Sequence, residues 1–94
     1  MSRQRSLEVI QQAEYVTIGE LVRLTEMRYS TLKFYTEEGM IPYIQPEHNL
    51  TRRYKREESL ERICFIKNLR EKGITIPEIK VILKQEISTL FIFF

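Results

Sequence analysis

Residues 17–40 read TIGELVRLTEMRYSTLKFYTEEGM and hold two short helix signatures in close succession. Thr17 and Glu20 form a T-x-x-E capping box, in which each side chain satisfies an N–H that the first helical turn leaves unpaired. A helix is therefore expected from Ile18, carrying Ile18, Leu21, Val22 and Leu24 at near-helical spacing and ending near Glu26. Ser30 is expected to cap a second helix, with Leu32 and Phe34 as its buried positions. Gly39 supplies the left-handed residue that ends it. Two short helices joined by so tight a turn make a helix-turn-helix.

The segment Arg52-Arg53-Tyr54-Lys55-Arg56 then sets four cations in five residues. The formal net charge of the whole chain is only +2, so bulk charge says little about partners. Its distribution says more, because Glu37, Glu38, Glu57, Glu58 and Glu61 stand in separate acidic clusters. A helix-turn-helix followed by a basic loop is what a small protein needs to place one helix in a DNA groove and clamp the phosphates beside it.

Between these features Pro42, Pro46 and Asn49 break any helix, and Tyr43-Ile44 and Arg53-Tyr54 are expected to pair as short strands. A third helix is expected over about residues 57–72, stopped by Gly73. A fourth opens on a second capping box, Thr75 to Glu78, with Pro77 in its first turn. It carries Ile79, Ile82, Leu83 and Leu90 in a stripe broken by Glu86. Residues 2–14 suit a short amphipathic helix using Leu7, Ile10 and Ala13. Both capping boxes present backbone N–H groups at a helix N-terminus, a natural place for a phosphate.

Ninety-four residues make one small domain. A single cysteine, Cys64, excludes an internal disulfide and fits a reducing cytoplasm. Lying among Leu60, Ile63 and Phe65, it is expected to be a small buried hydrophobe. No secretory signal is expected, because residues 1–14 lack a continuous apolar stretch. The apolar end Leu90-Phe91-Ile92-Phe93-Phe94 is far short of the roughly 20 residues that span a bilayer. One histidine, one cysteine, no aspartate and no Gly-rich phosphate loop leave no constellation for catalysis, so the chain is not read as an enzyme. No cofactor or metal site is expected. His48, beside Asn49 in a polar stretch, reads as an exposed turn residue.

Several separated motifs carry a family resemblance in order and spacing. They are Thr17-Ile18-Gly19-Glu20-Leu21, Ser30-Thr31-Leu32-Lys33-Phe34-Tyr35 and Glu38-Gly39-Met40-Ile41-Pro42. Arg52-Arg53-Tyr54, Leu60-Glu61-Arg62-Ile63, the run from Phe65 to Ile74 and Ile76-Pro77-Glu78-Ile79-Lys80 follow. Over residues 16–86 the chain resembles the MerR family. The resemblance implies a mainly α fold, a winged helix-turn-helix with a short β-hairpin wing. It divides the chain into an N-terminal extension at 1–15, the DNA-binding domain at 16–86 and an apolar tail at 87–94. It also implies a bacterial cytoplasmic protein working at the nucleoid.

The family roles fall on named residues. The second helix, residues 30–38, is expected to enter the major groove, with Ser30 at its start and Thr31, Lys33 and Tyr35 as contacts. Phe34 is expected inward and Tyr35 toward DNA. Lys33 stands where the family usually has arginine; a lysine is a point donor and reads bases less strictly than a guanidinium fork. Arg52, Arg53, Tyr54 and Lys55 match the first wing, where phosphate and sugar contacts are expected. Thr17 and Thr75 place helix N-termini against the backbone. Plainer roles stay open at this point: Tyr35 as half-buried core, Lys33 paired with Glu37, and the basic run as a solvated loop.

The chain also departs from the family pattern. Leu50-Thr51 occupies the place of a Gly–aromatic pair before the two arginines, so the turn must be made by Asn49 or by a longer loop. Lys55 replaces the small capping residue before the third helix, which is expected to start less firmly. Typical members continue into a long dimerising helix and a sensor region, which residues 88–94 are too few to supply, and no site for an inducer is evident. The first functional reading is a sequence-specific regulator binding double-stranded DNA, as a homodimer or a cooperative array. An excisionase-like DNA-bending factor and a protein-binding adaptor on the same fold are the alternatives. The basic wing discriminates, because an adaptor gains little from it.

Overall fold

The computed structural model describes the backbone of residues 4–93 and the side chains of residues 4–85. The elements in chain order are α1 (Leu7–Gln12), β1 (Tyr15–Val16), α2 (Ile18–Thr25), α3 (Tyr29–Glu37), β2 (Tyr54–Lys55), α4 (Arg56–Glu71) and α5 (Ile76–Phe93). The fold is mainly helical, with one small antiparallel pairing. The fate of the apolar side chains near the C-terminus lies outside the described residues.

The local signals act where they stand in the sequence. Thr17 Oγ1 accepts from the Glu20 N–H at 3.2 Å, and Glu20 Oε1 accepts from the Thr17 N–H at 2.9 Å, so the first capping box is complete. The turn after α2 closes on Glu26, whose φ of 60° is left-handed and whose N–H bonds to the Val22 carbonyl. A non-glycine there carries strain of about 1–2 kcal/mol.

Helices α3 and α4 end alike. Past α3, the Met40 N–H reaches the Tyr35 carbonyl at 2.9 Å and the Gly39 N–H reaches Thr36 at 3.1 Å. Past α4, Ile74 reaches Leu69 at 3.1 Å and Gly73 reaches Arg70 at 2.9 Å. These are Schellman closures, with Gly39 at φ 74° and Gly73 at φ 84°.

Helix α3 starts differently from the expectation. Its N-cap is Arg28, without a side-chain cap bond, and Ser30 lies exposed inside the first turn. Helix α4 starts on Lys55, also without a side-chain cap, as the missing small residue implies.

The strand pairing is also rearranged. Ile44 and Arg53 do meet, through N–H···O bonds of 2.7 and 2.8 Å, but as a single bridge. The regular ladder forms between β2 and β1, with Tyr15 opposite Lys55 and Val16 opposite Tyr54. Tyr54 therefore points inward and is 1% exposed. Ile10 of α1, Val16, Leu21, Leu32, Tyr35, Met40, Ile41, Tyr54, Ile63, Ile66, Ile79 and Leu83 form one core. Ile10 is fully buried and Ala13 packs against the core half-buried, while Leu7 is exposed, so two residues of the expected stripe dock. Cys64 is exposed, contrary to the expectation. The buried Ile63 and Ile66 set the inner face of α4, and Cys64 sits about 100° round from Ile63.

Candidate nucleic-acid interface

Helix α3 has a sharply divided surface. Leu32, Tyr35 and Thr36 are buried, at i, i+3 and i+4. Phe34, two residues from Leu32, falls about 200° around the axis and points outward. The ring assignment is thus the reverse of the expected one: Phe34 is 46% exposed and Tyr35 is 6% exposed. Helical spacing counted from Leu32 selects Tyr35 and Thr36; a two-residue step belongs to a strand. Tyr35 is a core residue, not a surface contact.

The outer face carries Ser30, Lys33, Phe34 and Glu37, at i, i+3, i+4 and i+7, all exposed. Tyr29 stands exposed at its N-terminal end. Thr31 is half-buried at the margin of the face. Lys33 does not pair with Glu37, which instead faces Arg52 from the wing at 3.9 Å. The Arg52 guanidinium also lies over the Tyr43 ring, 4.8 Å from its centroid. The sequence reading gave Tyr43 a place in a short strand and no part in the interface; an aromatic near an arginine-rich loop was the available signal.

The wing is a loop over residues 44–53. The Gln45 side-chain amide closes it, donating to the Leu50 carbonyl at 2.7 Å and to the His48 carbonyl at 3.2 Å. At its tip the Leu50 N–H bonds to the Glu47 carbonyl at 2.9 Å, so a tight turn with His48 and Asn49 at its centre, without left-handed backbone at Asn49, stands within the longer loop.

Arg53 is exposed beside Thr17 in a hollow of about 370 Å³, shared with Arg5, Tyr15, Val16, Glu20 and Thr51. Arg5 closes a two-pronged contact on Glu20, with Nε and Nη2 both at 2.7 Å from the carboxylate oxygens. That side-chain hydrogen bond holds the Glu20 carboxyl below its ordinary range. With the Glu20 carboxylate paired to Arg5, Arg53 is the further cation of the hollow, beside the N-terminus of α2. Arg5 was not legible as part of this site, because fifteen residues separate it from its partner.

The remaining expected residues sit elsewhere. Tyr54 is buried under the wing and is a structural residue. Lys55 is exposed, but it faces Glu58 at 3.8 Å and shares a separate hollow with Glu14 and Glu57. Arg56 ties α4 to the segment before β1, donating from Nε to the Ala13 carbonyl at 2.8 Å. Thr75 opens α5, where its hydroxyl donates to Glu78 Oε1 at 2.7 Å and accepts from the Glu78 N–H at 3.4 Å. The structure thus gathers Ser30, Lys33, Arg52, Arg53 and Thr17 around α3 and the wing. Among the described residues no cluster of metal-ligating side chains forms, and no helix is long and apolar enough to cross a membrane.

Comparison with known proteins gives these surfaces a context. The chain is 35% identical over 69 residues to an HTH-type transcriptional regulator ZntR homolog from Haemophilus influenzae, covering 73% of this chain and 50% of that protein. It is 28% identical over 76 residues to a mercuric resistance operon regulatory protein from Serratia marcescens, covering 81% and 52%. It is 34% identical over 64 residues to an HTH-type transcriptional activator SoxR homolog from Chromobacterium violaceum, covering 68% and 42%. The chain spans about half the length of these curated relatives. No solved structure matches it. The profile of the MerR HTH family of regulatory proteins matches residues 16–86, most of the chain, and with the helix-turn-helix and wing described above it follows that this chain belongs to the MerR family.

Proposed function

We propose that this chain is the DNA-reading part of a transcription regulator, binding double-stranded DNA with α3 in the major groove and the wing on the phosphates. The observation that carries the reading is the contact of Arg52 with Glu37. It sets the basic wing beside the end of α3, so the groove-facing strip and the phosphate-gripping cations form one surface. Lys33 then offers a single charged donor to guanine or adenine acceptors in the groove. Arg52 and Arg53 supply sequence-independent grip, and the α2 N-terminus beside Arg53 adds partial positive charge for a further phosphate. Relatives named as transcriptional regulators support the regulatory role.

Selection of bound duplexes from random DNA tests this. Enrichment of a defined sequence supports the reading, and the spacing of its copies reports single, inverted or tandem sites. Binding that stays equally weak on every duplex, and disappears at moderate salt, overturns sequence-specific recognition and returns the adaptor as the better account.

A further inference from the structure

We infer that Phe34 is a specificity residue that reads thymine through its C5-methyl group. The inference rests on the DNA-binding role proposed above and names what that same surface distinguishes.

Four observations carry it. Phe34 is nearly half exposed on a helix whose Leu32 and Tyr35 are buried. It shares its face with Ser30 and lies next to Lys33, the cation of the outer strip of α3. Its ring centroid is 6.1 Å from that of Tyr35, with the planes tilted by 56°, so a core residue braces it and it sacrifices little freedom on binding. Glu37 of the same face meets Arg52 at 3.9 Å, which sets the ring beside the basic wing that also carries Arg53, a setting that matches phosphate and not a purely apolar partner.

A phenyl ring has no hydrogen-bonding group, so it cannot take part in the donor–acceptor code of the groove. The apolar feature that the major groove does offer is the thymine methyl, absent from the other three bases. A lysine that reads loosely beside a ring that reads a methyl gives a surface whose discrimination comes largely from shape and burial. It makes Phe34, and not Tyr35, the aromatic of this helix that selects sequence.

Deoxyuridine provides the test, because it differs from thymidine only by that methyl. Each thymine of the best selected duplex is replaced in turn, and binding of the full chain is measured. One or two positions are expected to lose about fourfold in affinity, the scale of one buried methyl group. Phe34→Ala is expected to erase the penalty at those positions, while Phe34→Leu keeps part of it. Circular dichroism checks that both variants are folded, and the wild-type measurement needs no variant at all. Wild-type binding indifferent to uracil at every position overturns the inference while leaving DNA binding intact. A penalty that persists undiminished in Phe34→Ala also overturns it. Absence of any sequence-preferring duplex binding brings down the proposed function itself, and this inference with it.

Discussion

The hydroxyl of Tyr54 lies 3.0 Å from that of Thr36, with both residues buried. Thr36 already gives its one proton to the Leu32 carbonyl at 2.8 Å, so Tyr54 is the donor. This bond joins β2, at the inner edge of the wing, to the last turn of α3. Helix α3 and the wing loop are thereby held in one relative position. Arg52 and Glu37 repeat the connection at the surface.

Tyr54→Phe removes that donor while keeping the ring in the core. The expected loss of stability is about 1 kcal/mol, the net worth of one buried hydrogen bond. Tyr54→Ala also empties ring volume and is expected to cost about 3–5 kcal/mol. Urea denaturation of the three proteins checks both values. A Phe variant as destabilised as the Ala variant contradicts this division.

Wing arginines are expected to act through phosphate. Arg52→Ala and Arg53→Ala together lower affinity for all duplexes alike, and the salt dependence flattens by a slope of about 0.9 for each phosphate that is no longer neutralised. Arg53→Ala has the larger effect of the two, because Arg52 is already engaged by Glu37 and Tyr43. Titrations at several salt concentrations measure the slopes. An unchanged slope in the double variant removes the wing from the interface.

Lys33 is expected to read rather than grip. Lys33→Ala costs roughly 1–3 kcal/mol on the best duplex, relaxes preference at one or two positions and changes little on random DNA. Thr31→Ala, at a half-buried marginal position, has a smaller effect. Competition binding separates the two kinds of loss. Equal losses on both duplexes move Lys33 to the phosphate class.

Acid is expected to loosen the N-terminal extension. Glu20 titrates below its ordinary value near 4.5, chiefly because Arg5 hydrogen-bonds its carboxylate. A carboxyl depressed in the folded state binds fewer protons there than in the unfolded chain. Its stabilisation is therefore complete above about pH 4.5 and is lost as pH falls through the folded value. The stability gap between the wild type and Glu20→Gln is expected to shrink across that range in urea titrations. A gap that stays constant from neutral pH downward refutes the linkage.

Gly39 sits at φ 74° with open space where a Cβ would lie. Gly39→Ala is expected to cost about 1–2 kcal/mol from backbone conformation alone, since no clash contributes. Thermal unfolding reports it, and a neutral outcome shows that the Schellman closure relaxes.

Much of this protein was legible because its signals are short in range. The Thr17–Glu20 box and the stops at Gly39 and Gly73 each involve hydrogen bonds closed within three to five residues. Such bonds depend on little beyond the local chain, so residue type and spacing by themselves determined where α2 begins and where α3 and α4 end. The linear order of helix-turn-helix and basic wing was readable for the same reason. Tertiary structure decided what lies far apart along the chain. The antiparallel pairing of β1 with β2 fixed the inward side of Tyr54. Arg5 reached Glu20 only when α1 docked through Ile10. Pairings of this kind form only once the intervening loops have closed, so their partners are chosen by the whole fold and not by neighbours in sequence.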